Sequence, residues 1–301
     1  MITIGKIIKT HRKRLGLNQE ELCFGICEVS NLSKIENDKR DPSRATFEAL
    51  MEKLGLSTDL YPSFLNETDK KLYELKQDFN DLYAKGDYDA ADKVLDDIDG
   101  MKKLERADEH FIRMSRVLIK KHKGEPPEEV VKQFEDVIAH SIKDFAIEKI
   151  HKTPLSKTEI NILNAYAVAH HKAGNTDIAI KILYQLIKWI EYFAANMEFF
   201  TIVYTKVLAN LSSYVSKLGN DEEVVRLCDI GVKLCIRYDK YTYFANLLYN
   251  KGYSLVSLGR LDEASKPIQE SYFIQRAMGE KYSDNLEIIK SFASKNGIKL
   301  L

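Results

Sequence analysis

Residues 18–43 read NQEELCFGICEVSNLSKIENDKRDPS, a stretch that holds two short helical patterns separated by a break. Asn18 offers a side-chain acceptor at a helix start, with Glu21 three residues on, the spacing of a capping box. Leu22 and Ile26 then share a face at i, i+4. The chain breaks at Cys27-Glu28-Val29 and restarts at Ser30, a favoured cap residue. Leu32 and Ile35 give the second helix an apolar side at i, i+3. Its other side carries Ser30, Asn31, Ser33, Lys34 and Asn37, all able to hydrogen-bond base edges. Two short helices joined by a three-residue turn, the second exposing such residues, have the sequence form of a helix-turn-helix.

Leu17-Asn18-Gln19, Leu22, Leu32-Ser33-Lys34-Ile35-Glu36-Asn37 and Lys39-Arg40-Asp41-Pro42-Ser43 resemble the helix-turn-helix module of the phage-repressor (Cro/C1-like) family. The resemblance covers about residues 3–66. The segment from Leu22 to Glu36 is one residue shorter at the turn than in most of that family. The resemblance also implies residue roles. Gln19, at the opening of the first short helix, would bond a phosphate. Val29, Ser30, Asn31 and Lys34 would face bases, with Lys34 donating to guanine O6 and N7. Asn37, Lys39, Arg40 and Arg44 would touch the DNA backbone. Glu36 would hold the domain together.

Around this core, Ile4, Ile7, Ile8, His11 and Leu15 recur at helical spacing and predict a first helix ended by Gly16. Ser43 is placed to cap a further helix with Phe47, Leu50, Met51 and Leu54 as its apolar side, stopped by Gly55. Phe64 and Leu65 predict a short fifth helix. A polar boundary at Asn66-Glu67-Thr68-Asp69, with Thr68 able to cap the next helix, divides the chain into a helix-turn-helix domain over 1–66 and a second domain over 67–301.

The second domain repeats a helix, a glycine and a second helix, at Gly86, Gly174, Gly219 and Gly259. A small residue stands five places after three of these glycines (Ala91, Ala179, Ala264), and Val224 replaces it after Gly219. A further unit runs from Phe111 through Gly124 to Phe134. The pattern resembles the tetratricopeptide repeat. It implies an all-α fold in which helix pairs stack into a right-handed superhelix with a concave groove, closed by a helix over Leu286 to Phe292. In this register Asn161, Asn164, Lys206, Asn210, Asn246 and Asn250 fall at groove-facing places on three successive repeats. Asparagine is a mediocre helix former, but its amide can both donate to and accept from a peptide backbone. Lys206 could take a carboxylate. The competing reading is that these asparagines cap helices or bond between repeats.

The chain has 301 residues, 45% hydrophobic and 30% charged, with 45 basic and 45 acidic side chains. Overall charge therefore gives no sign of nucleic acid, but Lys6, Lys9, Arg12, Lys13 and Arg14 all precede the first acid, Glu20, and beside a helix-turn-helix such a run would approach phosphate. No run is long and apolar enough to span a bilayer. Met1-Ile2-Thr3-Ile4 leads straight into the first helix without the pattern of a signal peptide, so a cytoplasmic location is expected. The cysteines Cys23, Cys27, Cys228 and Cys235 form no CxxC pair; spacings of 4 and 7 would put each pair on one helix face as small apolar residues. No GxSxG, HExxH or phosphate-loop motif is present, so no enzyme and no cofactor are expected.

A helix-turn-helix ahead of helical repeats over about 300 residues resembles the Rgg/PlcR/PrgX group of quorum-sensing regulators. That resemblance implies a homodimer that binds double-stranded DNA and is modulated by a short signalling peptide held in the repeat groove, with Asn164, Asn210 and Asn250 on the peptide backbone. The alternative is a regulator whose repeats bind a protein partner, such as a phage or toxin-system component.

Overall fold

The computed structural model describes residues 3–56, 67–102, 104–193, 197–279 and 283–300, which contain helices and no strand. They form two compact units, Met1–Ala179 and Ile180–Leu301. None of the described helices is long and apolar enough to cross a membrane.

The first unit opens with α1 (Ile4–Arg14), α2 (Gln19–Cys23), α3 (Val29–Glu36) and α4 (Arg44–Lys53). The Thr3 side chain caps α1, and Ser43 caps α4 by accepting from the Thr46 amide. Asn18 and Glu21 form the expected reciprocal box at the start of α2. These caps satisfy amides that have no partner inside their own helices. Ile8, Leu22, Leu32, Leu50 and Met51 are fully enclosed, with Ile26 and Ile35 beside them. Each such burial contributes roughly 1.5–3 kcal/mol, so the spacing read from the sequence coincides with a real core. Gly5 sits where α1 meets α3: a Cβ there would lie 2.0 Å from the Ile35 carbonyl oxygen. No residue with a side chain could hold α3 at this distance from α1.

Three local expectations need correction. The structure starts α3 at Val29, with Glu28 as the cap residue and no side-chain capping bond, so Ser30 lies inside the helix. Helix α2 stops at Cys23 because the chain turns through Phe24 and Gly25, whose φ is +75°. Cys23 and Cys27 therefore do not share a helix, although both are buried, and Cys228 and Cys235 are buried as well. Thr68 belongs to the first turn of α5 (Glu67–Lys85) rather than capping it. The boundary at residue 66 and the fifth helix at Phe64 and Leu65 lie outside the described residues, in whole or in part.

Beyond α4 the helices pair in the tetratricopeptide-like manner. The first unit holds α5 with α6 (Tyr88–Asp99), α7 (Arg106–His122) with α8 (Pro127–Ser141), a 3-10 turn over Ile147–Lys152, and α9 (Lys157–Lys172). Helix α10 (Thr176–Phe193) begins at its end and runs on in the second unit, which contains α11 (Met197–Ser216), α12 (Asp221–Tyr238), α13 (Phe244–Ser257), α14 (Leu261–Ala277) and α15 (Ser283–Lys295). The turn glycines Gly86, Gly124, Gly174, Gly219 and Gly259 all have positive φ, the conformation that closes each helix in a left-handed residue. Ala91, Ala179, Val224 and Ala264 are fully buried, as small residues at close helix approaches must be. Helix α15 covers the predicted terminal segment, and Ile289 and Ala293 close the core around Leu255 and Ile268.

Within the first unit α4 packs on α7 and α9. Lys53, 4% exposed, reaches Glu159 at 3.5 Å and donates to the Phe24 carbonyl at 2.9 Å. Thr158 donates its hydroxyl to Glu52 at 2.9 Å, Thr46 donates to Glu105, and Arg106 pairs with Glu28. Charged and polar groups thus fasten the helix-turn-helix to the repeat helices.

Candidate functional site

The residues singled out by sequence fall into two sets. The first lies on the outer side of α3. Its inner side, Leu32 and Ile35, is buried, which turns Val29, Ser30 and Lys34 outward: all three are exposed, Val29 at 40%. Asn31 is half-buried beside them. Lys39 and Arg40 are exposed on the loop after α3. Arg40 Nη1 donates to Asn31 Oδ1 at 3.0 Å. Asn37 accepts from Lys9 Nζ at 3.0 Å and donates to the Ser33 carbonyl at 2.8 Å, so both ends of its amide are engaged. Arg44 is committed elsewhere: its guanidinium pairs with Glu48 at 2.6 Å and lies 4.1 Å above the Tyr73 ring.

A buried ion pair sets the height of this surface. Arg12 and Glu36 are 8% and 2% exposed and meet through two hydrogen bonds of 2.5 and 2.8 Å. Arg12 also donates to the Leu17 carbonyl, and the Gln19 amide donates to Glu36 at 2.8 Å. Burial pushes the Glu36 carboxyl up, but the hydrogen bonds from Arg12 and Gln19 outweigh it and leave the group below its usual value. The structure therefore removes Arg12 from the basic run that would approach phosphate. The signal was present in the sequence: Arg12 lies four residues after Ile8, on the core stripe. Gln19, expected near phosphate, spends its amide nitrogen on Glu36. The contacts Arg40–Asn31 and Arg44–Tyr73 had no sequence signal, because they join residues across a loop or across separate helices.

Beside α2, still within the first unit, a cleft of about 510 Å³ is bordered by Asn18, Glu20, Lys53, Lys143, Lys149 and Lys152. Lys143 is tied to Glu20 at 2.5 Å and Lys53 to Glu159. Glu20, Glu21 and Asp144 balance the three exposed lysines, so the cleft has no strong charge preference.

The asparagines divide between the two units. In the first unit Asn161 donates to the Lys157 carbonyl of its own helix at 3.1 Å, and Asn164 is enclosed at 1% exposure. In the second unit Lys206 and Asn210 lie one turn apart on α11, and Asn246 and Asn250 one turn apart on α13, which packs on α11. Asn246 is exposed. Asn250 donates to the Ala209 carbonyl at 3.1 Å and to Ser212 Oγ at 2.8 Å, next to Asn210. Lys206 and Asn210 are half-buried. Burial lowers the Lys206 ammonium from its usual value.

Residues 8–61 match the protein family described as Helix-turn-helix. No curated protein matches the sequence. Among solved structures, the chain is similar over its length to Bacillus thuringiensis PlcR. In the apo form the TM-score is 0.60 at 16% identity, covering 96% of this chain and 98% of that one. In the complex with the peptide PapR7 and DNA it is 0.57 at 17% identity, covering 99% and 100%. The apo form of the competence regulator ComR from Streptococcus vestibularis gives a TM-score of 0.54 at 17% identity, covering 98% of each chain. These likenesses establish the fold: a helix-turn-helix leading into tetratricopeptide-like helices.

Proposed function

We propose that the protein is a sequence-specific DNA-binding transcriptional regulator, not an enzyme, whose repeat helices bind a short signalling peptide that modulates it. The observation that carries the DNA half is the outward set Val29, Ser30 and Lys34 on an α3 whose inner side is fully packed. Exposed polar side chains on a rigidly held helix are what base reading in the major groove requires. Asn31, Lys39 and Arg40 complete the proposed DNA-contacting set, whereas Gln19, Asn37 and Arg44, expected in it, are engaged by Glu36, by Lys9 with the Ser33 carbonyl, and by Glu48. A cytoplasmic homodimer, with each helix-turn-helix on one half-site, belongs to the same reading.

The peptide half rests on Lys206, Asn210, Asn246 and Asn250 of the second unit, two neighbouring helices that offer amides and a desolvated ammonium to an extended chain. Asn161 and Asn164 of the first unit, expected on the same groove, are not part of this set: Asn164 is enclosed at 1% exposure and Asn161 bonds to the Lys157 carbonyl of its own helix. A peptide alters DNA binding only through preferring one arrangement of the protein over another. Asn250's bonds to α11 favour a second reading in part, a repeat surface that docks a protein partner and uses Asn250 as a fastener.

Anisotropy titrations of duplexes selected from a random pool test the DNA half. Lys34→Ala should lower discrimination at one base position by about 1–3 kcal/mol; an equal loss at every sequence, or no sequence preference in the unaltered protein, overturns the assignment. Calorimetry with short peptides recovered from growth medium tests the other half. Asn210→Ala and Asn246→Ala leaving every peptide affinity unchanged would remove the peptide reading and leave the protein partner.

A further inference from the structure

We infer that Arg40 sets the base preference of Asn31, so that Asn31 and Lys34 together present donors that read guanine. This rests on the DNA-reading role proposed for α3 and sharpens it. The Arg40 guanidinium has donors and no acceptor, so its 3.0 Å contact fixes the orientation of the Asn31 amide. Oδ1 faces Arg40, and Nδ2 is left for a partner. An asparagine that recognises adenine uses both ends, accepting from the N6 amino group and donating to N7. Here the accepting end is engaged by a cation, and that cation would stand against an incoming amino group.

One neighbour agrees in sign. Lys34 lies three residues on and shares the exposed side of α3 with Asn31. Its ammonium also only donates. Arg40 adds its remaining N–H groups at the same edge. Guanine offers two acceptors, O6 and N7, in the major groove, whereas adenine and cytosine each present an amino donor there. Thymine, with the single acceptor O4 beside a methyl group, ranks second. Asn37 is a useful contrast: Lys9 and the Ser33 carbonyl occupy both ends of its amide, so it adds no base preference. Arg40 is accordingly a positioning residue, acting on the base through Asn31.

The test uses the full chain. Duplexes are selected from a random library, and the enriched sequence and its single-base changes are titrated with the unaltered protein, Asn31→Ala, Arg40→Ala and Arg40→Lys. The expected result is guanine at the position that Asn31→Ala relaxes, preferred over adenine by about tenfold. Arg40→Ala should shrink or reverse that preference, and Arg40→Lys, which still donates, should keep it. Adenine at that position with the unaltered protein overturns the inference. So does a preference that Arg40→Ala leaves intact while weakening all duplexes by one factor. So does an enriched sequence with no position sensitive to Asn31→Ala. If the unaltered protein enriches no sequence, the DNA-reading role fails and the inference falls with it.

Discussion

Helix α3 and the pair α11 and α13 carry their polar residues in opposite ways. On α3 the structural and the outward-facing polar groups are segregated. Glu36 points inward to Arg12 and is sealed, while Ser30 and Lys34 point outward. On α11 and α13 the same kind of residue does both tasks: Asn246 is exposed, and Asn250, one turn away, fastens α13 to α11. Segregation makes a role readable from spacing alone. Mixing does not, because an asparagine that bonds to a neighbouring carbonyl and one that faces solvent look alike in sequence.

The largest effect that would break this comparison is at Glu36. Glu36→Ala leaves Arg12 buried without its partner, which should cost about 3–5 kcal/mol, read as urea sensitivity and as lost amide protection in α1 and α3. Arg12→Met combined with Glu36→Leu should recover most of it. If the single change costs under about 1 kcal/mol, the pair does not hold α3 in place.

A second inward group of the first unit is His110, whose ring nitrogens are buried without a hydrogen-bond partner. Burial, with Lys53, His140 and Arg113 nearby, pushes its pKa from 6.5 to about 4. The folded chain therefore keeps the imidazole neutral in a range where the unfolded chain takes up a proton. Stability should fall as pH drops from about 6.5 towards 4, by roughly 3 kcal/mol, and then level off for this group. His110→Gln should flatten the slope in that window; an unchanged slope refutes the assignment.

The two asparagines of α13 give smaller effects that sharpen the contrast. Asn250→Ala removes two hydrogen bonds and should destabilise the second unit by about 1–2 kcal/mol. Asn246→Ala, at an exposed position, should stay within about 0.5 kcal/mol. Thermal unfolding separates them. Equal losses would show that exposure does not distinguish the fastening asparagine from the exposed one.

Much of the fold was legible in the sequence. The capping box at Asn18, the cap at Ser43, the stripe Ile4–Ile8, the repeat glycines and the buried alanines are local or periodic features, set by geometry within a few residues. What escaped was non-local. The early stop of α2 at the Phe24-Gly25 turn is the local exception. Arg12's place on the core stripe was visible, but its partner Glu36, 24 residues away, was not. The contacts of Asn31 and Arg44 needed the loop after α3 and helix α5 to be in place.

By itself the sequence determined that helices form, where most of them stop, that they pair around glycine turns, and that a helix-turn-helix leads them. Those outcomes depend on caps, backbone freedom and apolar spacing, which act over one or two turns. Only the tertiary structure decided which polar groups are consumed within the protein and which are left to meet a partner. A hydrogen bond between side chains distant in sequence exists only once packing has brought them within about 3 Å, and no local pattern records it beforehand.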